Sequence, residues 1–181
     1  ELFAGKGVLS RAMREEGWST EELDLVGGVD LSLKQTQDEV VERIRARRYR
    51  VVHLAPPCST FSIAYYARFR QNGCSRSRII PEGRGTVAKE EYANKLARFA
   101  CRVVKACDES GTEWSVENPN TSLIWLFGSW PAWVKRGHVA TVMMCSYGGS
   151  SPKPTNFVSS NEKITDLSSK CTRDHDHEAL R

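Results

Sequence analysis

The chain has 181 residues, with 26 lysines and arginines against 22 aspartates and glutamates, a formal net charge of +4 and six cysteines. That length suits one domain with a real core, and no apolar run is long enough to span a bilayer, so no membrane partner is expected. The mild positive charge permits a nucleic-acid partner without demanding one, and scattered cysteines in apolar runs (Cys101, Cys107, Cys145) argue for reduced thiols in an intracellular setting, nuclear in a eukaryote and cytoplasmic in a bacterium or virus.

The chain opens on Glu1-Leu2-Phe3 without a methionine, and reads as a piece of a longer protein starting in or at the end of a strand. Gly5 and Gly7 lie in a strand-to-helix turn before a helix over Val8–Glu16. Glycines there let backbone approach a ligand beside helix-start amides, although a Gly-x-Gly pair also suits a plain turn. Trp18–Val26 reads as the next strand, with Asp24 before Leu25-Val26-Gly27-Gly28. An acid about twenty residues past a glycine turn can accept both hydroxyls of a ribose, or be part of a solvated loop. Asp30 could accept from a purine amino group or cap the following helix, expected over Ser32–Arg48 from the spacing of Leu33, Val40, Val41 and Ile44.

Tyr49–Leu54 reads as a buried strand stopped by Pro56 and Pro57, which fix an extended turn and set Cys58 at a strand's carboxyl end. A thiol there is a candidate nucleophile or an inert strand-end cysteine. Ile63–Ala88 reads as a long polar connection whose Arg68, Arg70, Arg76, Arg78 and Arg84 interleave with Tyr65, Tyr66 and Phe69, which suits a phosphate-gripping loop or a disordered insertion. Leu96, Phe99, Ala100, Val103, Val104 and Cys107 predict a helix over Lys89–Glu109, ended by Ser110-Gly111. Thr112–Val116 reads as a strand delivering Glu117 and Asn118 to a second strand end.

Leu123–Val134, with three tryptophans, should form short helices under the sheet, and His138–Cys145 and Thr155–Ser159 two further strands joined by a Tyr147–Pro152 link. The expected fold is α/β: a doubly wound, mostly parallel sheet with a terminal antiparallel strand. Residues 1–160 would form the catalytic domain and 161–181 a polar tail, disordered or metal-binding: Cys171, His175 and His177 could hold zinc with one more ligand, such as Cys145.

The ordered set Phe3-Ala4-Gly5-Lys6-Gly7, Asp24, Asp30, Pro57-Cys58 with Phe61-Ser62, and Glu117-Asn118 resembles the cytosine-5 DNA methyltransferases, over most of Phe3–Phe157. The resemblance implies a Rossmann-like fold binding S-adenosylmethionine through Phe3, Ala4, Gly5, Gly7, Asp24, Leu25, Asp30, Pro57 and Leu96. It further implies Cys58 as the nucleophile toward a flipped cytosine and Glu117 as its hydrogen-bonding partner. Ser62, Arg68, Arg70, Asn118 and Lys153 would face DNA, or RNA as in the RNA-acting members of the family. The chain departs from the family at Ser59, where glutamine is usual, and at Pro119, where valine is usual. The arginine pair expected on a later strand is not evident, with Lys153 as a stand-in for one member, and neither a target-recognition domain nor the late cofactor motif is evident. A degenerate, non-catalytic domain that binds nucleic acid is therefore the other expectation.

Overall fold

The computed structural model describes residues 1–69 and 73–178. Four strands form one sheet: β1 (Val51–Leu54), β2 (Glu113–Pro119), β3 (His138–Met143) and β4 (Pro154–Ser159), in the order β1-β2-β4-β3. β1 and β2 are parallel, and β4 runs antiparallel to both of its neighbours. Three strands thus run one way, and the reversed strand, last in sequence, is inserted between β2 and β3 rather than placed at the edge. Leu2 bridges both Leu54 and Leu23 in parallel, which extends the parallel side beyond β1.

Among the helices, α1 spans Val8–Glu15, α2 Lys34–Arg45, α3 Ile63–Phe69, α4 Ala88–Ser110 and α5 Trp130–Arg136. α4 is the mainstay of the core. Ala93, Leu96, Ala97, Ala100, Val103, Val104 and Cys107 recur every three to four residues, and all are buried. The helix stops at Gly111, whose φ of 72° is left-handed and whose N–H closes on Cys107 O. Its buried stripe meets Val40, Val41 and Ile44 of α2 and the inward side chains of β1 and β2 in one cluster. Arg102 ties the two helices at the rim by donating to Gln37 Oε1 (3.2 Å) and Asp38 Oδ1 (2.6 Å). Trp125 and Trp130 meet edge to face, and so do Trp114 and Trp133, so the tryptophan-rich stretch does pack as short helical pieces, a 3₁₀ turn at Leu123–Leu126 and α5.

Two sequence expectations are corrected. Trp18–Val26 is not a strand: only Leu23 pairs with Leu2, and Leu25–Gly27 is a 3₁₀ turn. Its acids are used locally instead, Glu21 by Arg43 and Tyr49, and Glu22 by Arg14. The Ile63–Ala88 connection is not featureless either. It starts with α3, and its Arg76 is 1% exposed in a nest of hydrogen bonds, not held out to a phosphate.

Along β1 and β2 the side chains alternate: Val52, Leu54, Trp114, Val116 and Asn118 point into the core under α4, while His53, Ser115 and Glu117 take the other face. His53 pairs with Ser115 (Nδ1···Oγ 2.8 Å) and stacks on Phe157. Burial pushes the His53 imidazole down to about 4. Because the folded value lies below the unfolded one, protonation favours the unfolded chain: this stability is complete above about pH 6.5 and is lost as pH falls toward 4. His53→Gln should therefore remove about 2 kcal/mol of the destabilisation seen between pH 7.5 and pH 5 in urea unfolding. Equal pH slopes for the two proteins would refute the assignment.

Candidate functional site

The carboxyl ends of the parallel segments share one edge of the sheet, and the loops leaving them carry the expected site residues. The turn after Leu2 is strained in the way a ligand loop often is: Phe3 has φ 58°, Gly5 55° and Gly7 60°. Gly7 has a second reason to be glycine, since a Cβ there would lie 2.3 Å from Glu22 Oε2. Asp24 closes on this turn. Its carboxylate accepts from Gly5 N (3.1 Å) and from Val26 N (2.9 Å), so the Phe3–Gly7 turn and the acid form one unit. Beside it Leu25 and Val26 stand out to solvent, 63% and 82% exposed, and a Cβ on Gly5 would meet open space. Asp30 accepts from Ser32 N (2.8 Å), and its hydrogen bonds with Ser32 hold its carboxyl below the usual range; it closes a local turn ahead of α2, whose N-cap is Leu33. Leu96 is 4% exposed within the core and presents little surface to any ligand.

At the next strand end, Asn118 does work that its sequence position hides. It is 1% exposed, and its side-chain amide donates to Pro56 O (2.8 Å). That bond fastens the Pro56-Pro57-Cys58 turn to the adjacent strand β2, so Asn118 positions the loop and offers no surface to a polynucleotide. The turn is closed further by Phe61 N donating to Cys58 O (3.0 Å) and Leu123 N to Phe61 O (2.8 Å). Phe61 itself is fully buried against Phe127.

Cys58, Glu117 and Lys153 come together here. β2 lies parallel to β1 with Leu54 opposite Val116, which sets Glu117 level with the start of the cysteine turn. β4 enters the sheet from the same edge, with Thr155 opposite Pro119, so Lys153 just before it joins them. The Lys153 charge reaches both Cys58 and Glu117, and the Glu117 charge reaches Cys58. Burial raises the Cys58 thiol above its ordinary range; the Lys153 ammonium pulls it back and the Glu117 carboxylate pushes it up. Burial likewise raises Glu117, against the opposing pull of Lys153. Burial thus inclines both the thiol and the carboxyl to hold their protons, and Lys153 opposes that at each.

Of the residues expected to face a polynucleotide, Ser62 begins α3: its hydroxyl donates to Ser59 O and accepts from Tyr65 N. Arg68 lies in the last turn of α3, and Arg70 lies outside the described residues. The anchoring roles of Asn118 and Arg76 were missed from the sequence; for Asn118 the one available signal was an amide directly following a strand-end carboxylate.

The tail is not loose. Ser169 N donates to Thr141 O (3.1 Å) and Met143 N to Ser169 Oγ (3.1 Å), docking it along β3. Cys145, Cys171, His175 and His177 then meet, their ligand atoms all within 4.8 Å of one another. Among the described residues no helix is long and apolar enough to cross a membrane.

No protein-family model, curated protein or solved structure matches the chain.

Proposed function

We propose that this chain is the catalytic domain of an S-adenosylmethionine-dependent DNA cytosine-5 methyltransferase with a Rossmann-like, doubly wound fold. The observation that carries the reading is the meeting of Cys58, Glu117 and Lys153 at the sheet edge that also bears the Phe3–Gly7 turn and Asp24. Cytosine C5 is a poor nucleophile. The Cys58 thiolate adds to C6, forming an S–C6 bond and moving the C5–C6 π pair onto C5. Glu117, held toward its protonated form, donates to the ring N3 and offsets the charge that develops there. Lys153 stabilises the thiolate before attack. The pair on C5 would take the methyl group that a bound cofactor supplies; water then takes the C5 proton, the C5–H pair re-forms the C5–C6 double bond, and the S–C6 pair returns to sulfur and regenerates Cys58. A base reaches such a site only after leaving the stack, with Ser62 and Arg68 on the polynucleotide side.

The residues present fit the sulfonium cofactor. Asp24 retains lone pairs for ribose hydroxyls, Leu25 and Val26 offer exposed apolar surface to an adenine, and Gly5 leaves open space in the turn. Phe3, Ala4, Gly7, Asp30 and Pro57 complete the assigned set, while Leu96, buried in the core, stays out of it. When bound, S-adenosylmethionine supplies the electrophilic methyl group.

Calorimetric titration with S-adenosylmethionine tests the pocket. The intact chain should bind and Asp24→Ala should bind at least about tenfold more weakly, since a charged hydrogen bond to the ligand is removed. No binding by the intact chain would favour a degenerate domain. Transfer of methyl to RNA but not to DNA would move the substrate to the RNA-acting members.

A further inference from the structure

We propose that Cys145, Cys171, His175 and His177 form a structural zinc site that clamps the tail onto the catalytic edge. This stands apart from the methyltransferase reading, because it rests on different residues and a different measurement.

Cys145 lies in the 3₁₀ turn Met144–Tyr147 that follows β3, and it is 9% exposed. The other three donors arrive from the tail, which bends at Arg173, with φ 61°. The distances match a tetrahedral ion. With Zn–S about 2.3 Å and Zn–N about 2.05 Å, ligand atoms at tetrahedral angles are separated by about 3.6 Å for S to N and about 3.3 Å for N to N. Cys171 Sγ lies 3.4 Å from His177 Nε2 and 3.9 Å from His175 Nε2, and the two Nε2 atoms are 3.0 Å apart. Two imidazole nitrogens facing each other so closely need something positive between them. One shared proton would serve that pair alone; a divalent cation serves all four donors.

The surroundings are those of a ligand set. Asp174 Oδ1 accepts from His175 Nδ1 (2.8 Å), which fixes the tautomer that turns the Nε2 lone pair inward. Carboxylates in this position orient metal-bound histidines and raise their basicity. Arg173 N donates to Cys171 Sγ (3.3 Å), which holds the sulfur in place within the cluster. Two thiolates and two imidazoles select zinc among the common divalent ions, and four protein donors leave no open position, so the role is structural.

The clamp also has a consequence for the catalytic edge. The covalent span from Cys145 to Cys171 contains β4 and the link that carries Lys153, and the tail returns to that link through Glu178 N to Ser150 O (2.8 Å). The ion closes this span into a ring.

The test uses the full reduced chain, saturated with zinc and dialysed. One ion per chain is expected, lost in Cys171→Ser and in Cys145→Ser. Cobalt substitution should give the intense visible absorption of a tetrahedral thiolate complex, also lost in those variants. Asp174→Ala should keep one ion but bind it roughly 10- to 100-fold more weakly. Failure of the unaltered chain to take up either metal overturns the site, whatever the variants do. So does full retention of metal in Cys145→Ser, or a Cys145–Cys171 disulfide in the protein isolated without reductant.

Discussion

Cys58→Ala is expected to lower methyl transfer to DNA by at least about 10³-fold, the scale seen when a covalent nucleophile is removed, with binding of S-adenosylmethionine intact. The asymmetry follows from how the loop is held. Asn118 fastens Pro56, Phe61 N closes on Cys58 O, and Leu123 N closes on Phe61 O; none of these bonds uses the thiol. The backbone should therefore keep its course around an alanine. The cofactor residues sit on the Phe3–Gly7 turn and Asp24, a separate unit joined by the Gly5–Asp24 bond. What the variant loses is the group that, on the proposed reading, adds to C6, with Glu117 and Lys153 unchanged. Calorimetry and a tritiated-methyl assay on the same preparations separate the two effects. Undiminished transfer would rule out the covalent route.

Arg76→Met should destabilise the fold by about 3–5 kcal/mol, the usual consequence of removing one partner from a buried charged network. The guanidinium is 1% exposed. Its Nη1 donates to Pro81 O (2.5 Å) and Asn94 Oδ1 (2.8 Å), and its Nη2 to Glu90 O (3.0 Å) and Thr60 Oγ1 (3.1 Å). It also lies 3.7 Å from the centroid of the Phe61 ring. Glu90, equally buried, accepts from the backbone and hydroxyl of Ser75. Methionine fills much of the same volume but leaves four acceptors and the Glu90 carboxylate without their cation. Since Thr60 and Phe61 directly follow the cysteine turn, the same substitution should loosen Cys58. Equilibrium unfolding in urea measures the loss, and a change below about 1 kcal/mol would show that the network is dispensable.

These two residues mark what the sequence could and could not disclose. The cysteine turn was legible because prolines end strands by their own geometry, and α4 because its apolar residues keep helical spacing over many turns. From the sequence the Glu117 carboxylate reads as lying just past a strand ending at Val116, whereas β2 runs on to Pro119 and Glu117 pairs with Phe157 of β4 inside it. Arg76 was not legible. An arginine among polar residues reads as solvated, and its burial depends on a carboxylate and carbonyls that come together only after the 73–90 segment folds back on itself. Asn118 hid for a similar reason, its partner being a carbonyl 62 residues away. The failed Trp18–Val26 strand shows the converse: local propensity favoured extension, but Glu21, Glu22 and Asp24 each found a specific partner off the sheet. The tail's thiol and imidazole spacing was visible in the sequence, but the convergence of those groups with Cys145 needed the tail to dock along β3.

The placement of β4 bears on how the molecule is made. β3 joins the sheet only through β4, the strand that leaves the ribosome after it. While a nascent chain is shorter than Ser159, β3 has no neighbour to pair with and β2 presents an open edge, the arrangement most prone to pairing with other chains. Lys153 immediately precedes β4, so it takes its place beside Cys58 in the same event that fills the gap between β2 and β3. Assembly of the sheet and the arrival of Lys153 near Cys58 are thereby a single, late step in biosynthesis.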